Sequence, residues 1–182
     1  MAQPNFDPSG FYEFDLSRGA VRTRDGERVF VLSDDVVAPL INALVKQGDL
    51  STLTKLGERL GSTASASLAG RVSELSPEQV IGHAAAVLAL YGWGRLQSER
   101  WGDAFVVTIT GLRDLDPMQL ATSALLSGLL GKLAGAELSC VPVGDERFVV
   151  VHPSIAKQVS SWVTSGSNIG EIARRLVATE VA

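Results

Sequence analysis

Short clusters of aromatic and β-branched residues open the chain, and helical periodicity takes over after them. Residues 11–16 and 29–32 form such clusters. Between them Ser17-Arg18-Gly19 and Arg24-Asp25-Gly26-Glu27 supply turn chemistry, so two or three short strands in a hairpin-like unit are predicted. Ser33-Asp34-Asp35 then offers side-chain acceptors to the unpaired N–H groups of a helix start. Val36, Val37, Leu40, Ile41 and Leu44 follow at helical spacing as its inward face, with Pro39 in or near the first turn and Gly48 as the stop.

A second helix is predicted over 50–75, with Leu53, Leu56, Leu60, Leu68 and Val72 inward. Its interior carries Gly57, Gly61, Ser62, Ala64, Ala66, Ala69 and Gly70. A glycine costs about 1 kcal/mol in a helix relative to alanine, so these positions point either to close approach by another helix or to a bend near Gly61.

Ser76-Pro77-Glu78 opens a third helix, in which Val80, Ile81, Ala84, Val87, Leu88 and Tyr91 form the apolar stripe. Gly92-Trp93-Gly94 breaks it. Residues 95–99 and 104–110 read as an antiparallel strand pair joined by Arg100-Trp101-Gly102-Asp103. Asp116-Pro117 starts a further helix through Leu120, Leu125, Leu129, Leu130 and Leu133 to Gly135. A strand over 136–143, the turn Gly144-Asp145-Glu146 and a last strand over 147–152 follow. The order helix, strand, strand, helix, strand, strand predicts one α+β domain over 11–152. Ahead of it residues 1–10, with Pro4, Pro8 and Gly10, read as a flexible leader. Behind it 153–182 forms a helical extension, with helices over 154–163 and 169–177. The second is expected as a docking element or a loosely held tail.

Composition narrows what such a domain does. A chain of 182 residues that is 46% hydrophobic can bury a sizeable core, which excludes wholesale disorder. The apolar runs 84–91 and 124–133 are too short, and too rich in glycine, serine and alanine, to span a bilayer. The first ten residues lack a basic region followed by an apolar stretch, so no secretory signal is expected. Cys140 is alone, no disulfide framework is available, and a cytoplasmic location is expected. Sixteen scattered basic residues against twenty acidic ones offer no footprint for a phosphate backbone, so no nucleic acid is expected as a partner.

Candidate chemistry is sparse. His83 and His152 are the only histidines; His83 lies in an alanine-rich helix, where a helix or subunit contact is the simpler role, and His152 ends a strand at the surface. Cys140 has no spacing to a histidine that would activate it and reads as packing. Asp34-Asp35 and the pair Asp114, Asp116 precede helices and read as caps rather than as an acid and base. No nicotinamide, flavin or phosphate-loop fingerprint is present. In the strand over 104–110, Phe105, Val107 and Ile109 should share one face and Val106 and Thr108 the other. The first face should meet Leu125 and Leu129, as solid core or as a pocket wall.

Leu56-Gly57-Glu58-Arg59-Leu60-Gly61, Tyr91-Gly92-Trp93-Gly94 before a strand pair, Ser127-Gly128-Leu129-Leu130-Gly131 with Leu133-Ala134-Gly135, and Glu137-Leu138-Ser139-Cys140 followed by Gly144-Asp145 occur in that order. In this order the chain resembles the four-vinyl-reductase-type ligand-binding domains, which share a fold with TRAPP vesicle-tethering subunits and with the sensor domains of aromatic-responsive activators. The resemblance covers roughly residues 29–152. It implies a four-stranded antiparallel sheet packed by helices (the NO signalling/Golgi transport ligand-binding-like fold), dimers made through helices, and a pocket between helix and sheet. In zinc-containing relatives a cysteine, a Glu-x-x-Cys and a further cysteine hold the metal. Here Glu137 and Cys140 match the middle element, Phe148 stands at the last position and no cysteine precedes Glu137, so no zinc and no other cofactor is expected.

The first functional expectation is therefore a noncatalytic assembly or regulatory module. It would act through protein contacts as a homodimer, with Leu56, Leu60, Leu88 and Tyr91 at the interface, and could engage another protein. The alternative is a sensor for a small hydrophobic or aromatic ligand, lined by Trp93, Trp101, Phe105, Leu125 and Leu129. An enzyme is not expected.

Overall fold

The computed structural model describes residues 10–68, 74–112, 116 and 119–180. The N-terminal unit is a three-stranded antiparallel sheet of β1 (Tyr12–Asp15), β2 (Ala20–Thr23) and β3 (Arg28–Val29), with the turn segment between the two sequence clusters supplying the middle strand. The second cluster pairs only through Arg28 and Val29. Phe30, Val31 and Leu32 leave the sheet and stand exposed, which corrects the strand expected over 29–32.

Helix α1 (Asp34–Gln47) stops at Gly48, whose backbone takes the left-handed conformation (φ 72°) and closes the last turn onto Leu44 and Val45. Two expectations for it are corrected. Pro39 lies beyond the first turn, inside the helix. Of the expected inward face only Ile41 is buried; Val37 and Leu44 pack partly, and Val36 and Leu40 face outward, because few residues lie alongside α1 to cover a second stripe.

Helix α2 (Leu50–Ser67) begins on Asp49, which accepts from the Thr52 N–H, and ends well short of residue 75. Val72, Ala69 and Gly70 lie outside the described residues. Helix α3 (Pro77–Leu90) starts with a reciprocal cap: the Ser76 hydroxyl accepts from the Gln79 N–H, and the Gln79 side chain accepts from the Ser76 N–H. Such a cap contributes about 1 kcal/mol.

The central sheet comprises β4 (Arg95–Trp101), β5 (Ala104–Thr110), β6 (Ser139–Gly144) and β7 (Arg147–Val151), all antiparallel in the order β4-β5-β7-β6. β4 runs two residues beyond the expected strand, so that Trp101 pairs with Ala104 across a tight hairpin. The long segment between β5 and β6 is α4 (Leu120–Ala134). It begins later than expected: Asp116 is buried upstream of Gln119 and its carboxylate accepts from the Thr122 N–H at 2.7 Å, so it caps the first turn from outside the helix. Pro117 and Asp114 lie outside the described residues.

α4 is buried on nearly all sides, between the sheet and α2. The small residues of α2 make this possible. A Cβ added at Gly57 would sit 1.9 Å from the Leu125 carbonyl oxygen, and one added at Gly128 of α4 would sit 2.0 Å from that of Thr54. The two backbones touch where neither has a side chain, so of the two readings of the glycines, close approach is the one realised.

The alternation along β5 sorts the core into two layers. Phe105, Val107 and Ile109 face α4 with Leu96, Cys140 and Phe148; Ala104 and Val106 face the other way with Val141, Val149 and Val151. That outer layer is covered by α5 (Pro153–Thr164) and α6 (Ile169–Glu180), through Val159, Ile172, Ala173 and Leu176. Ile172 is fully buried, so α6 is a docked wall of the core and not a loose tail. Among the described residues no helix is long and apolar enough to cross a membrane.

Candidate functional site

The inner layer does not close along its whole length. Between the N-terminal part of α3, the C-terminal half of α4 and the strands β5 and β7 lies a cavity of about 770 Å³, open to solvent. Pockets that hold drug-sized ligands occupy roughly 300–1,000 Å³. Val80 and Ile81 of α3, Leu130 and Leu133 of α4, and Phe105 and Val150 of the sheet make its walls, with Leu138 at the entry to β6. Each follows from local pattern. The α3 cap sets the rotation of Val80 and Ile81, strand alternation turns Phe105 and Val150 inward as a directly paired couple, and the three-residue spacing of Leu130 and Leu133 puts both on the cavity side of α4.

The five residues expected at a ligand site are not brought together. Phe105 alone lines this cavity. Leu125 and Leu129 are solid core, 1% and 0% exposed, and do not line it. Trp93 lies at the opposite end, against Ile41, Leu53, Leu112 and Leu125, where the remaining void of about 10 Å³ has room for no more than about one water. Trp101 stands at the β4–β5 hairpin, its indole N–H donating to Glu99 at 3.0 Å. Single-strand alternation located Phe105; Val80, Ile81, Leu130 and Leu133 were legible only as stripe residues, with nothing in the sequence to separate a stripe that meets a neighbour from one that meets a void.

The four residues expected at an interface sit within the chain's own layers. Leu88 is fully buried, Leu60 nearly so, and Leu56 packs partly on the same core. Tyr91 borders a second cavity of about 520 Å³ between the N-terminal sheet and α2 and α3, with Phe11, Thr23, Asp25, Glu27 and Ser67. Glu27 in that wall is engaged by Arg59 of α2 at 2.7 Å. Burial, with the nearby Glu27, raises the Tyr91 phenol above its ordinary pKa.

Nucleophile chemistry finds little support in the side chains that could carry it. Ser67 and His83 approach to 2.6 Å at the edge of the second cavity. The Ser67 hydroxyl gives its one hydrogen to the Ala64 carbonyl at 2.8 Å, so His83 Nε2 is the donor in that contact and cannot receive the serine proton. Burial lowers the His83 pKa. Cys140 is 2% exposed; burial pushes its thiol to about 12, and its backbone is tied to α4, the N–H to Ser127 and the carbonyl by Ser123. A thiol so held is a packing group. Glu137 is exposed while Cys140 is buried, and among the described residues no three metal-ligating side chains converge. His152 caps α5 by accepting from the Ser154 N–H.

No protein-family model matches the chain, and no curated protein matches it in sequence.

Proposed function

We propose that the chain is a noncatalytic binding domain that takes a small hydrophobic molecule into the cavity between α3, α4 and the central sheet. The observation that carries this is the cavity itself: about 770 Å³ of open space onto which the partly exposed Phe105, Leu138 and Val150 open, with the nearly solvent-free Val80, Ile81, Leu130 and Leu133 as the rest of its wall. Apolar side chains that face a water-filled void forgo dispersion contacts and leave apolar surface wet, and a ligand of matching character recovers both. The resemblance to four-vinyl-reductase-type domains points the same way. It supports reading the helix-backed sheet as the NO signalling/Golgi transport ligand-binding-like fold, in which a pocket lies between helix and sheet. This ordering reverses the sequence-based one, because Leu60 and Leu88, which carried the interface, already fill the core.

The test is a neutral solvatochromic dye such as Nile red. Saturable fluorescence and a raised melting temperature are expected for the protein, and loss of both for Val150→Trp, which fills the cavity. A dye that binds the filled variant equally well, or does not bind at all, would overturn the reading.

A second reading, self-association as a homodimeric assembly module, rests on a different surface. Phe30, Val31 and Leu32 and the outward residues Val36 and Leu40 of α1 are 78%, 73%, 53%, 47% and 57% exposed, along one continuous stretch of chain. Contiguous apolar exposure of this kind is typical of interaction surfaces. Native mass spectrometry at low micromolar protein should then show a dimer that Leu40→Glu dissociates; a monomer at every concentration would count against it.

A further inference from the structure

The cavity wall is apolar with two exceptions, and both stand on the same side. Among the described residues Lys132, in the last turn of α4, and Ser65, near the end of α2, are its polar side chains, and none of the described aspartates or glutamates lines it. The helix crossing fixes where Lys132 goes. Its Cβ and Cγ lie 2.9 and 3.3 Å from the position a Gly61 Cβ would occupy, so the absence of a side chain at Gly61 gives its stem a seat against α2. Ser65 follows Gly61 by four residues, on the same face of α2 one turn along. The two residues thus line the cavity from adjoining helices, Lys132 with its side chain exposed at the rim and Ser65 partly buried.

Neither is taken up by the rest of the fold. The ion pairs among the described residues are all made by arginines. The other α2 hydroxyls are engaged, Ser51 and Thr52 by the Asp49 carboxylate and Thr54, Ser62, Thr63 and Ser67 by the carbonyls of Leu50, Glu58, Arg59 and Ala64, whereas the described residues give Ser65 no such partner. A lysine in a last turn also complements the helix dipole. That role needs no cavity, and the α4 end is already closed by the Gly135 and Ala136 N–H groups on the Gly131 carbonyl. An ammonium at the rim of an apolar void gains most when a ligand that expels the water brings a counter-charge with it.

Resting on the binding reading above, we infer that the cavity's ligand is a single-chain amphiphile with an anionic end. The apolar part lies against Phe105, Val150, Ile81 and Leu130, and the carboxylate or phosphate end accepts from the Lys132 ammonium and the Ser65 hydroxyl. Calorimetry with dodecanol, dodecanoate, dodecyl phosphate and dodecyltrimethylammonium tests it, each below its micellar concentration. One or both anions should bind at least about tenfold tighter than dodecanol, as a charge-assisted hydrogen bond predicts. Which of the two is preferred tells a carboxylate from a phosphate head. Lys132→Gln should remove the preference while dodecanol binding is kept, and Lys132→Arg should restore it. Equal binding of alcohol and anions, or a preference for the trimethylammonium, would overturn the anionic end and leave the apolar cavity standing. If dodecanol also fails to bind, the binding reading and this inference fall together.

Discussion

The two faces of the central sheet are built from the same strands and differ in how they are closed. On the outer face Ala104, Val106, Val141, Val149 and Val151 meet α5 and α6, and Val159 and Ile172 are left with no exposed surface. On the inner face α4 covers the sheet at Ile109, Val107 and Phe148, where Leu125, Leu126 and Leu129 are as fully buried, but toward Phe105 and Val150 the cover lifts and the cavity begins. The outer helices are short, strongly amphipathic and free to settle onto the sheet. α4 is not: it is clamped from behind by α2 at Gly57 and Gly128. A helix held by two neighbours cannot tilt to fill a gap at one end, so the cavity follows from the clamp.

The largest effect is therefore expected at the clamp. Gly57→Ala and Gly128→Ala each gain about 1 kcal/mol of helix propensity, yet each new Cβ would stand about 2 Å from a backbone carbonyl oxygen. Overpacking against backbone outweighs propensity here, and a loss of at least about 4 kcal/mol is expected by denaturant unfolding. Gly82 on α3 is the control: a Cβ there meets nothing within 4 Å, and Gly82→Ala should stabilise by about 0.5–1 kcal/mol. Equal effects at Gly57 and Gly82 would break the account of the clamp.

A pair of isoleucines sharpens the contrast between the faces. Ile172 is fully enclosed on the inner side of α6, against the outer face of the sheet, and Ile81 borders the open cavity, though both are nearly solvent-free. Truncating Ile172 to alanine leaves a sealed hole as well as losing burial, at about 4 kcal/mol; truncating Ile81 only widens a space already open, at about 2 kcal/mol. Costs in the opposite order in urea would mean that the inner face is closed in solution.

The contrast was half legible in the sequence. Period-two alternation in 104–110 separates the layers correctly, and the Ser76-Pro77 opening and Gly135 stop place α3 and the end of α4, because these are local signals read by local rules. Small residues at 57 and 61 announced either a close approach or a bend, without choosing between them or naming the partner. The cavity was not legible. Leu125, Leu129, Leu130 and Leu133 have the same character in the chain, and only the tilt of α4 against the sheet decides which of them are core and which are wall. The apolar face of α1 misled for the same reason: Leu40 fits the stripe, and among the described residues it stands exposed.

The smallest expected effect belongs to His83, on α3 where it meets Ser67 of α2. Burial disfavours its charged form and holds its pKa below the ordinary 6.5, while the unfolded chain keeps that ordinary value. As pH falls through 6.5 the unfolded state takes up the proton first, so stability declines below that point; above it His83 is neutral in both states and contributes no slope. The bond to Ser67 does not reverse the sign, because there the imidazole is the donor and keeps that role when protonated. The side chain is only partly buried, so solvent screening keeps the change small. Melting temperatures of the protein and of His83→Gln, compared between about pH 7.5 and about pH 5, should diverge toward acid with the variant relatively more stable. A difference that does not vary with pH would place the imidazole in water, and the α2–α3 contact would then be looser than the clamp between α2 and α4.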